Sequence, residues 1–580
     1  MVDLDVDVLV VGAGPCGGTA ALALARMGVS VEVVSLYRWV ANSPRAHITS
    51  QRTMEVMRDL GIEEEVARQG VAWPLIGDMV LGESLVGREF ARLPSWGVGD
   101  ERHGEYAASS PCDYLDVIQP RLEPVILGAA AAAGARLSFR TELVRFEQDD
   151  EGVTSTLRDR DTGLERVVRS RYLVGADGAR SRIVEALELP LEGHLARAGT
   201  IYARFRADLT EHVAHRPSIL NFFFNPATSF GEIGMGMLRA VTPWTEWLSS
   251  WGFDMSQGEP DTSPETVVST IRSIIGDPDV EVELLDVSKW YVNQQYATAY
   301  SRGRVFCAGD AVHRHPPSSG LGLNTSVQDA FNLAWKLALV VRGAAGAALL
   351  DSYTQERAPV GRQIVLRANQ SRHDYAELRE ALNGAEGRSD LLFAPTEEGI
   401  ELRERLDRAL RVKDREFNAA GVEKNQRYAS VAVLPDLEAE PEVFPRDVEL
   451  YSQTTTRPGA KLPHLWLFDR HGRRMSSLDV VGGGRFTLLT GLAGLAWEQA
   501  ARELADPWLR TVVVGRPDCQ DLHHAWHRRR EVHEAGCLLV RPDGYVAWRH
   551  PGPIWAADDA AKHLSEALDL ILCRRTALGQ

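Results

Sequence analysis

Residues 6–35 read VDVLVVGAGPCGGTAALALARMGVSVEVVS. The apolar run Val6 to Val11, broken only by Asp7, predicts a buried strand. It enters Gly12-Ala13-Gly14-Pro15-Cys16-Gly17, and an Ala- and Leu-rich helical stretch follows to Met27. Gly28 ends that stretch, and Val29 to Val34 predicts the next strand. Strand, glycine turn, helix and strand make the βαβ unit of a dinucleotide fold. Gly12 permits the tight turn, Gly14 lets backbone approach a pyrophosphate, and Gly17 lets the helix pack close to the strand. The helix start offers free N–H groups and positive partial charge to an anion. The acid expected at the end of the second strand is missing: Ser35 stands there, with Arg38 close behind. An arginine beside a lost acid suits a 2′-phosphate, so this stretch leaves FAD and NADP both open.

The rest of the chain bounds what this unit serves. Its 580 residues carry 64 Lys and Arg against 80 Asp and Glu, a net charge of −16, which argues against a general nucleic-acid binder. The length predicts about three to four domains. Six cysteines without a CxxC pair give neither a disulfide framework nor zinc spacing, and point to a reducing cytosol. The acidic start MVDLDVDVLVV is not that of a secretion signal, and no apolar run reaches the ~20 residues of a membrane span. A cytoplasmic protein without membrane insertion is expected.

Two later segments bear on the cofactor. In the first, Tyr172-Leu173-Val174-Gly175-Ala176-Asp177-Gly178, an apolar strand runs into an Asp-Gly turn. In the second, a strand ends at Gly309-Asp310, a Pro- and Gly-rich loop follows, and Val327 to Val341 predicts a long amphipathic helix. Asp310 at a strand end can accept hydrogen bonds from a sugar-alcohol chain. Gly320 and Gly322 can lay backbone against a flat ring, and the helix start near Asn324 can put N–H dipoles beside an anionic ring edge.

The segments GADGARSR (175–182) and GDAVHRHPPSSGLGLNTSVQDAFNLAWKL (309–337) resemble the Asp-Gly and Gly-Asp motifs of single-component FAD-dependent aromatic hydroxylases. That group includes para-hydroxybenzoate hydroxylase and phenol hydroxylase. SPRAHITSQRTMEVMRDLGIEEE (43–65), GRVFCAGDAVHRHPP (303–317) and GVEKNQRY (421–428) are similar to its chlorophenol hydroxylase branch. The resemblance spans nearly the whole chain. It implies an α/β fold: a Rossmann-like FAD-binding domain, an inserted, mainly antiparallel substrate sheet, and a C-terminal thioredoxin-like α/β domain.

The implied divisions are 1–185 and 296–372 for the FAD-binding domain, and 186–295 with help from about 75–105 for the substrate sheet. A helical linker covers 373–440 and the thioredoxin-like domain 441–580. Lacking CxxC, that last domain cannot run dithiol exchange and is expected to be structural or oligomeric.

By the same resemblance Gly12, Gly14 and Gly17 hold the FAD pyrophosphate, and Arg45 and Gln119 contact the cofactor. Asp310 meets the ribityl chain, while Pro317, Gly320, Gly322, Leu323 and Asn324 lie along the isoalloxazine. Asp177 belongs to the motif linked to FAD and NADPH. No second GxGxxG is present, so NADPH (or NADH) is expected as a transient co-substrate. The implied activity uses NADPH and molecular oxygen to hydroxylate a phenolic ring ortho to its hydroxyl, through a flavin C4a-hydroperoxide. The expected partners are a substituted or chlorinated phenol, molecular oxygen and further copies of the chain, as a homodimer or larger assembly.

A phenolate donates electrons better than a phenol, so the site gains from a base on the hydroxyl. His47 is the candidate, at a position where yeast-type phenol hydroxylases carry aspartate; otherwise it is a structural histidine. His315 is a second candidate and His313 a packing residue. Phe222, Phe223, Phe224, Trp290 and Tyr291 can line the pocket, although alternation puts only half of a strand's residues on one face. No Arg or Lys here is compelling as a carboxylate clamp, with Arg239 and Lys289 left open. No metal is expected, His523, His527 and His533 being read as surface residues. Rival expectations are a hydroxylase of larger aromatic polyketides, a flavin halogenase, an NADP-linked dehydrogenase and a non-catalytic flavin-binding scaffold.

Overall fold

The computed structural model describes residues 5–195, 198–224, 228, 230, 234–383, 389–437 and 439–574. The opening stretch forms β1 (Val6–Val11), α1 (Pro15–Arg26) and β2 (Val31–Ser35). Five strands run parallel in the order Val305–Cys307, Glu165–Gly175, β1, β2 and Arg136–Phe139. Strands of a parallel sheet covered on both faces read as nearly continuous apolar runs, and Val8, Leu9, Val10 and Val33 are all buried.

The long helix after the Gly-Asp segment is α2 (Leu321–Val341), which packs beside α1. It begins six residues before the Val327 expected from sequence, so Gly322, Leu323 and Asn324 form its first turn. The glycines mislead here: Gly320 is the left-handed residue at the helix start, φ +65°, and Gly322 faces His315.

A seven-stranded sheet follows the order Glu283–Tyr291, Gly199–Arg206, Glu246–Phe253, Gly236–Thr242, Leu220–Phe223, Asp78–Gly82 and Glu89–Pro94. Only Leu220–Phe223 and Asp78–Gly82 pair in parallel. Next come α3 (Asp351–His373) and α4 (Glu397–Phe417). Tyr375, Leu402 and Phe417 share one core with Phe223 and Trp247. Within this charged segment Lys413 and Glu416 are buried against each other, with the ammonium over the Tyr375 ring.

The C-terminal sheet has the order Leu509–Val513, Phe486–Thr490, Cys537–Val540, Val546–His550. The first pair is parallel and joined through helix Leu495–Leu504; the other pairings are antiparallel, and helix Ala557–Ile571 closes the chain. Among the described residues no helix is long and apolar enough to cross a membrane.

Candidate active site

The glycine turn, the Gly309-Asp310 strand end and the start of α2 meet at one crevice. Gly12 has φ +111°, and a Cβ there would sit 2.1 Å from the Ala176 carbonyl. A Cβ on Gly17 would sit 1.9 Å from the Gly12 carbonyl, so these two positions are closed to larger residues. Gly14 differs: the nearest atom to its Cβ position is Glu123 Oε1 at 3.8 Å, so its open side can receive a ligand. Gly14 starts α1 without a side-chain cap, and the first turn holds no acid, which leaves its N–H groups and the positive helix end to an anion. The start of α2 is uncapped too.

Asp310 is reached by solvent although protein surrounds it. Burial raises its carboxyl above the usual range, against the pull of His313, Arg45 and Arg314. Gly309 lies against Cys16 of α1, which puts Asp310 beside the glycine turn. Asp177 Oδ2 accepts from the N–H groups of Arg182 and Ile183, while Oδ1 is buried without a partner among the described residues. The Asn324 side chain is fully engaged, accepting from Ser50 N and Thr53 Oγ1 and donating to the Ile48 and Gly320 carbonyls; only its backbone can face a cofactor. Gln119 Nε2 donates to Glu123 Oε1 at 2.6 Å, and Arg45 is exposed, its charge felt by Asp310 and Tyr202. Pro317 is exposed on the loop before α2, and Leu323 is buried in its first turn. A crevice with an open glycine, an anion-ready helix end and two accessible or unpartnered carboxylates fits a dinucleotide with a polyol arm.

His47 sits next to this crevice. Its carbonyl accepts from Val117 N at 2.7 Å, and Ile48–Thr49 pairs antiparallel with Leu115–Asp116. That short ladder brings His47 Nδ1 to 2.7 Å from Asp116 Oδ2, with Asp116 3% exposed. Nδ1–H donating to the carboxylate leaves Nε2 as an acceptor. Burial lowers the imidazole pKa and the Arg239 charge lowers it further, with Asp116 opposing both, so His47 is neutral at neutral pH. Arg239 is 2% exposed; one nitrogen donates to the Pro44 carbonyl, while Nε and Nη1 have no partner among the described residues. A buried guanidinium with two free donors is costly unless an anion or dipole meets it. Tyr202 lies within reach of the Arg239 and Arg45 charges, and burial raises its phenol to about 12.

His315 is placed differently. Its Nδ1 lies 2.7 Å from the Pro316 carbonyl, its ring faces Gly322, and burial lowers its pKa to about 4. His313 Nε2 contacts Asp329, which also holds Arg357. Of the aromatic residues expected in the pocket, Phe222 and Phe223 are core, and Tyr291 is 41% exposed. Asp116 escaped the sequence reading; its signal was a lone acid inside the apolar run Leu115–Ile118.

Two family models match the chain: an FAD binding domain over residues 5–368 and the C-terminal part of aromatic-ring hydroxylases over 455–574. The 2,4-dichlorophenol 6-monooxygenase of Cupriavidus pinatubonensis is 44% identical, covering 99% of this chain and 97% of that one. The phenol 2-monooxygenase of Pseudomonas sp. is 42% identical, covering 94% and 90%. The crystal structure of the flavin-dependent monooxygenase PieE with FAD and substrate superposes with a TM-score of 0.93 at 42% identity, covering 99% of this chain and all of that one.

Proposed function

The chain belongs to the FAD-dependent aromatic-ring hydroxylases, and from that premise we propose that it hydroxylates a one-ring phenol ortho to its hydroxyl, with His47 as the base and Arg239 as the anchor of the phenolate. The observation that carries this is the buried Arg239 guanidinium with two free donors beside the Asp116-oriented His47. Relatives named as polyketide hydroxylases are more distant than the phenol hydroxylases, so the one-ring substrate comes first.

Gly12, Gly14, Gly17 and the start of α1 would hold the FAD pyrophosphate, and Asp310 the ribityl hydroxyls. The first turn of α2, with Pro317, Gly320, Gly322, Leu323 and Asn324, would border the ring; Arg45, Gln119 and Asp177 complete the cradle. When bound, FAD reduced by NADPH delivers one atom of molecular oxygen to the substrate ring, and the other leaves as water. The protein's share is to orient the ring, exclude water and hold the proton. His47 Nε2 takes the phenol proton, Asp116 steadies the imidazolium that forms, and the free Arg239 donors meet the phenolate oxygen. His315, neutral and turned to Gly322, shapes the loop instead of moving protons. NADPH docks transiently. We further read the C-terminal domain as thioredoxin-type, the division of the chain as the sequence implies it, and the protein as a cytoplasmic homo-oligomer.

The test is turnover of flavin-loaded protein on a panel of phenols, with NADPH oxidation, oxygen uptake, catechol and hydrogen peroxide measured together. Stoichiometric catechol supports the proposal; NADPH oxidation yielding only peroxide with every phenol contradicts it. The pH profile tests the two charged neighbours of His47. Base catalysis requires neutral imidazole, so the acid limb of kcat/KM lies below the ordinary histidine value of 6.5. Asp116→Asn removes the group that raises the His47 pKa and is expected to move the limb to lower pH. Arg239→Gln removes a charge that lowers it and is expected to move the limb up, besides reducing the rate. Limbs that stay in place in both variants rule out His47 as the base.

A further inference from the structure

Residues Ser95–Val98 form a tight turn in which Val98 N–H donates to the Ser95 carbonyl at 3.0 Å. Both central residues have positive φ, Trp96 at +48° and Gly97 at +73°. Turns of this primed kind favour Gly, Asn or Asp at both places, and a bulky residue there is an outlier. Gly97 obeys the rule, and Trp96 breaks it. Such a conformation persists only where its surroundings over-determine it, and it collects at functional sites.

The surroundings do so here. Trp96 N–H donates to the Phe417 carbonyl at 3.0 Å, and its own carbonyl accepts from Trp73 Nε1 at 2.8 Å. Asn418, the residue that ends α4, accepts from Gly97 N–H at 3.0 Å and donates to the Pro94 carbonyl at 2.6 Å. The indole thus held is 5% exposed and packs against two rings. Phe417 lies 5.5 Å away and His47 6.2 Å away, each nearly perpendicular to it at 87°. The turn by itself would form more readily with glycine, so what tryptophan adds is its side chain, and that side chain abuts the His47 ring.

We propose that Trp96 is the wall of the substrate pocket on the His47 side and sets how large a ring system enters, and that Phe417 and Asn418 at the end of α4 position it. This rests on the placement of the phenol at His47. It gives the segment between the α/β core and the C-terminal domain a share in specificity, because its helix end holds the wall.

Trp96→Gly tests it: glycine suits the backbone better, while loss of the buried indole costs stability, a loss that the milder Trp96→Phe and Asn418→Ala variants limit. Flavin-loaded wild type, Trp96→Gly, Trp96→Phe and Asn418→Ala are titrated with phenol and with 1-naphthol, and dissociation constants are read from the flavin absorbance change. Trp96→Gly is expected to raise the naphthol-to-phenol affinity ratio by at least about tenfold, the scale on which apolar pocket volume discriminates. Trp96→Phe should fall between it and wild type, and Asn418→Ala should shift the ratio in the same direction by less. A purely structural role would weaken both ligands alike and leave the ratio fixed. A Trp96→Gly ratio within about twofold of wild type overturns the proposal. Should that variant lose its flavin, an unchanged ratio in Asn418→Ala overturns it instead, and a raised one supports it. Binding is scored apart from turnover, so a wild type that binds both ligands but hydroxylates neither counts against the phenol-hydroxylase reading alone.

Discussion

Gly17→Val is expected to give a protein that keeps no FAD through purification and forms no hydroxylated product. The first atom of any side chain at this position would sit 1.9 Å from the Gly12 carbonyl oxygen and 3.2 Å from Val10 Cγ1. The Gly12 backbone cannot yield, since its N–H is bound to the Val34 carbonyl at 2.8 Å and its φ of +111° is already a glycine conformation. Helix α1 must therefore move off the sheet, taking with it the N–H groups proposed to meet the pyrophosphate. Displacement of about 1 Å in such a site costs on the order of 100-fold, and overpacking adds ~1–3 kcal/mol of lost stability. Gly18→Ala is the control: its Cβ meets only Ile126 Cγ2 at 3.1 Å and Leu127 Cδ2 at 3.3 Å, side-chain ends that can turn. Flavin absorbance per mole of protein checks both, and a Gly17→Val protein with its full complement of flavin would falsify the placement of the pyrophosphate at this turn.

The second large effect lies where the C-terminal domain docks. Glu356 of α3 receives Arg541 at 2.6 Å and 2.9 Å and Lys336 at 2.8 Å, all of them fully buried. Arg541 also pairs with both carboxylate oxygens of Asp543, and the Oδ2 it contacts accepts from Trp335 Nε1 of α2 at 3.2 Å as well. Burial alone would raise the Glu356 carboxyl; Arg541 and Lys336 outweigh it and hold it below the usual carboxylate range. Glu356→Ala leaves two buried cations without their shared anion and is expected to destabilise the protein by about 3–5 kcal/mol, read as a lowered urea midpoint. Removing the exposed Arg470–Asp518 pair should change stability by no more than ~1 kcal/mol. Because the folded-state pKa of Glu356 lies below its ordinary 4.5, its contribution is present above that pH and is lost as pH falls below it. Equal midpoints for Glu356→Ala and wild type at neutral pH would show that the domain is held by something else.

The difference between these two sites explains what the sequence could disclose. The glycine turn is local: all its determinants lie within residues 6–35, and its strands are apolar because both faces of the sheet are covered. Asp310 was legible for the same reason, at the end of a buried strand. Glu356, Arg541 and Lys336 come together over 185 and 20 residues of separation, and each alone reads as an ordinary surface charge. His47 could be nominated by its motif, but its partner Asp116 lies 69 residues away and is delivered by a ladder only two residues long. Such pairing has no periodicity to betray it. In the sequence Arg239 is open, beside Lys289, only as a carboxylate clamp, and its two unpartnered donors become visible only when the surrounding residues are in place. The start of α2 was missed because Gly320 and Gly322 read as loop, whereas one begins the helix and the other makes room for His315.

That a phenol binds over the flavin as its anion, between His47 and Arg239, is open to one direct measurement. 4-Nitrophenol is added to the FAD-loaded protein under air without NADPH, at a pH where the free ligand is mostly neutral, and the difference spectrum is recorded. The expected result is the yellow nitrophenolate band together with a shifted flavin absorbance, both lost in an Arg239→Gln, His47→Ala double variant. A bound ligand that keeps the spectrum of the neutral phenol, or one that leaves the flavin bands untouched, would contradict the account.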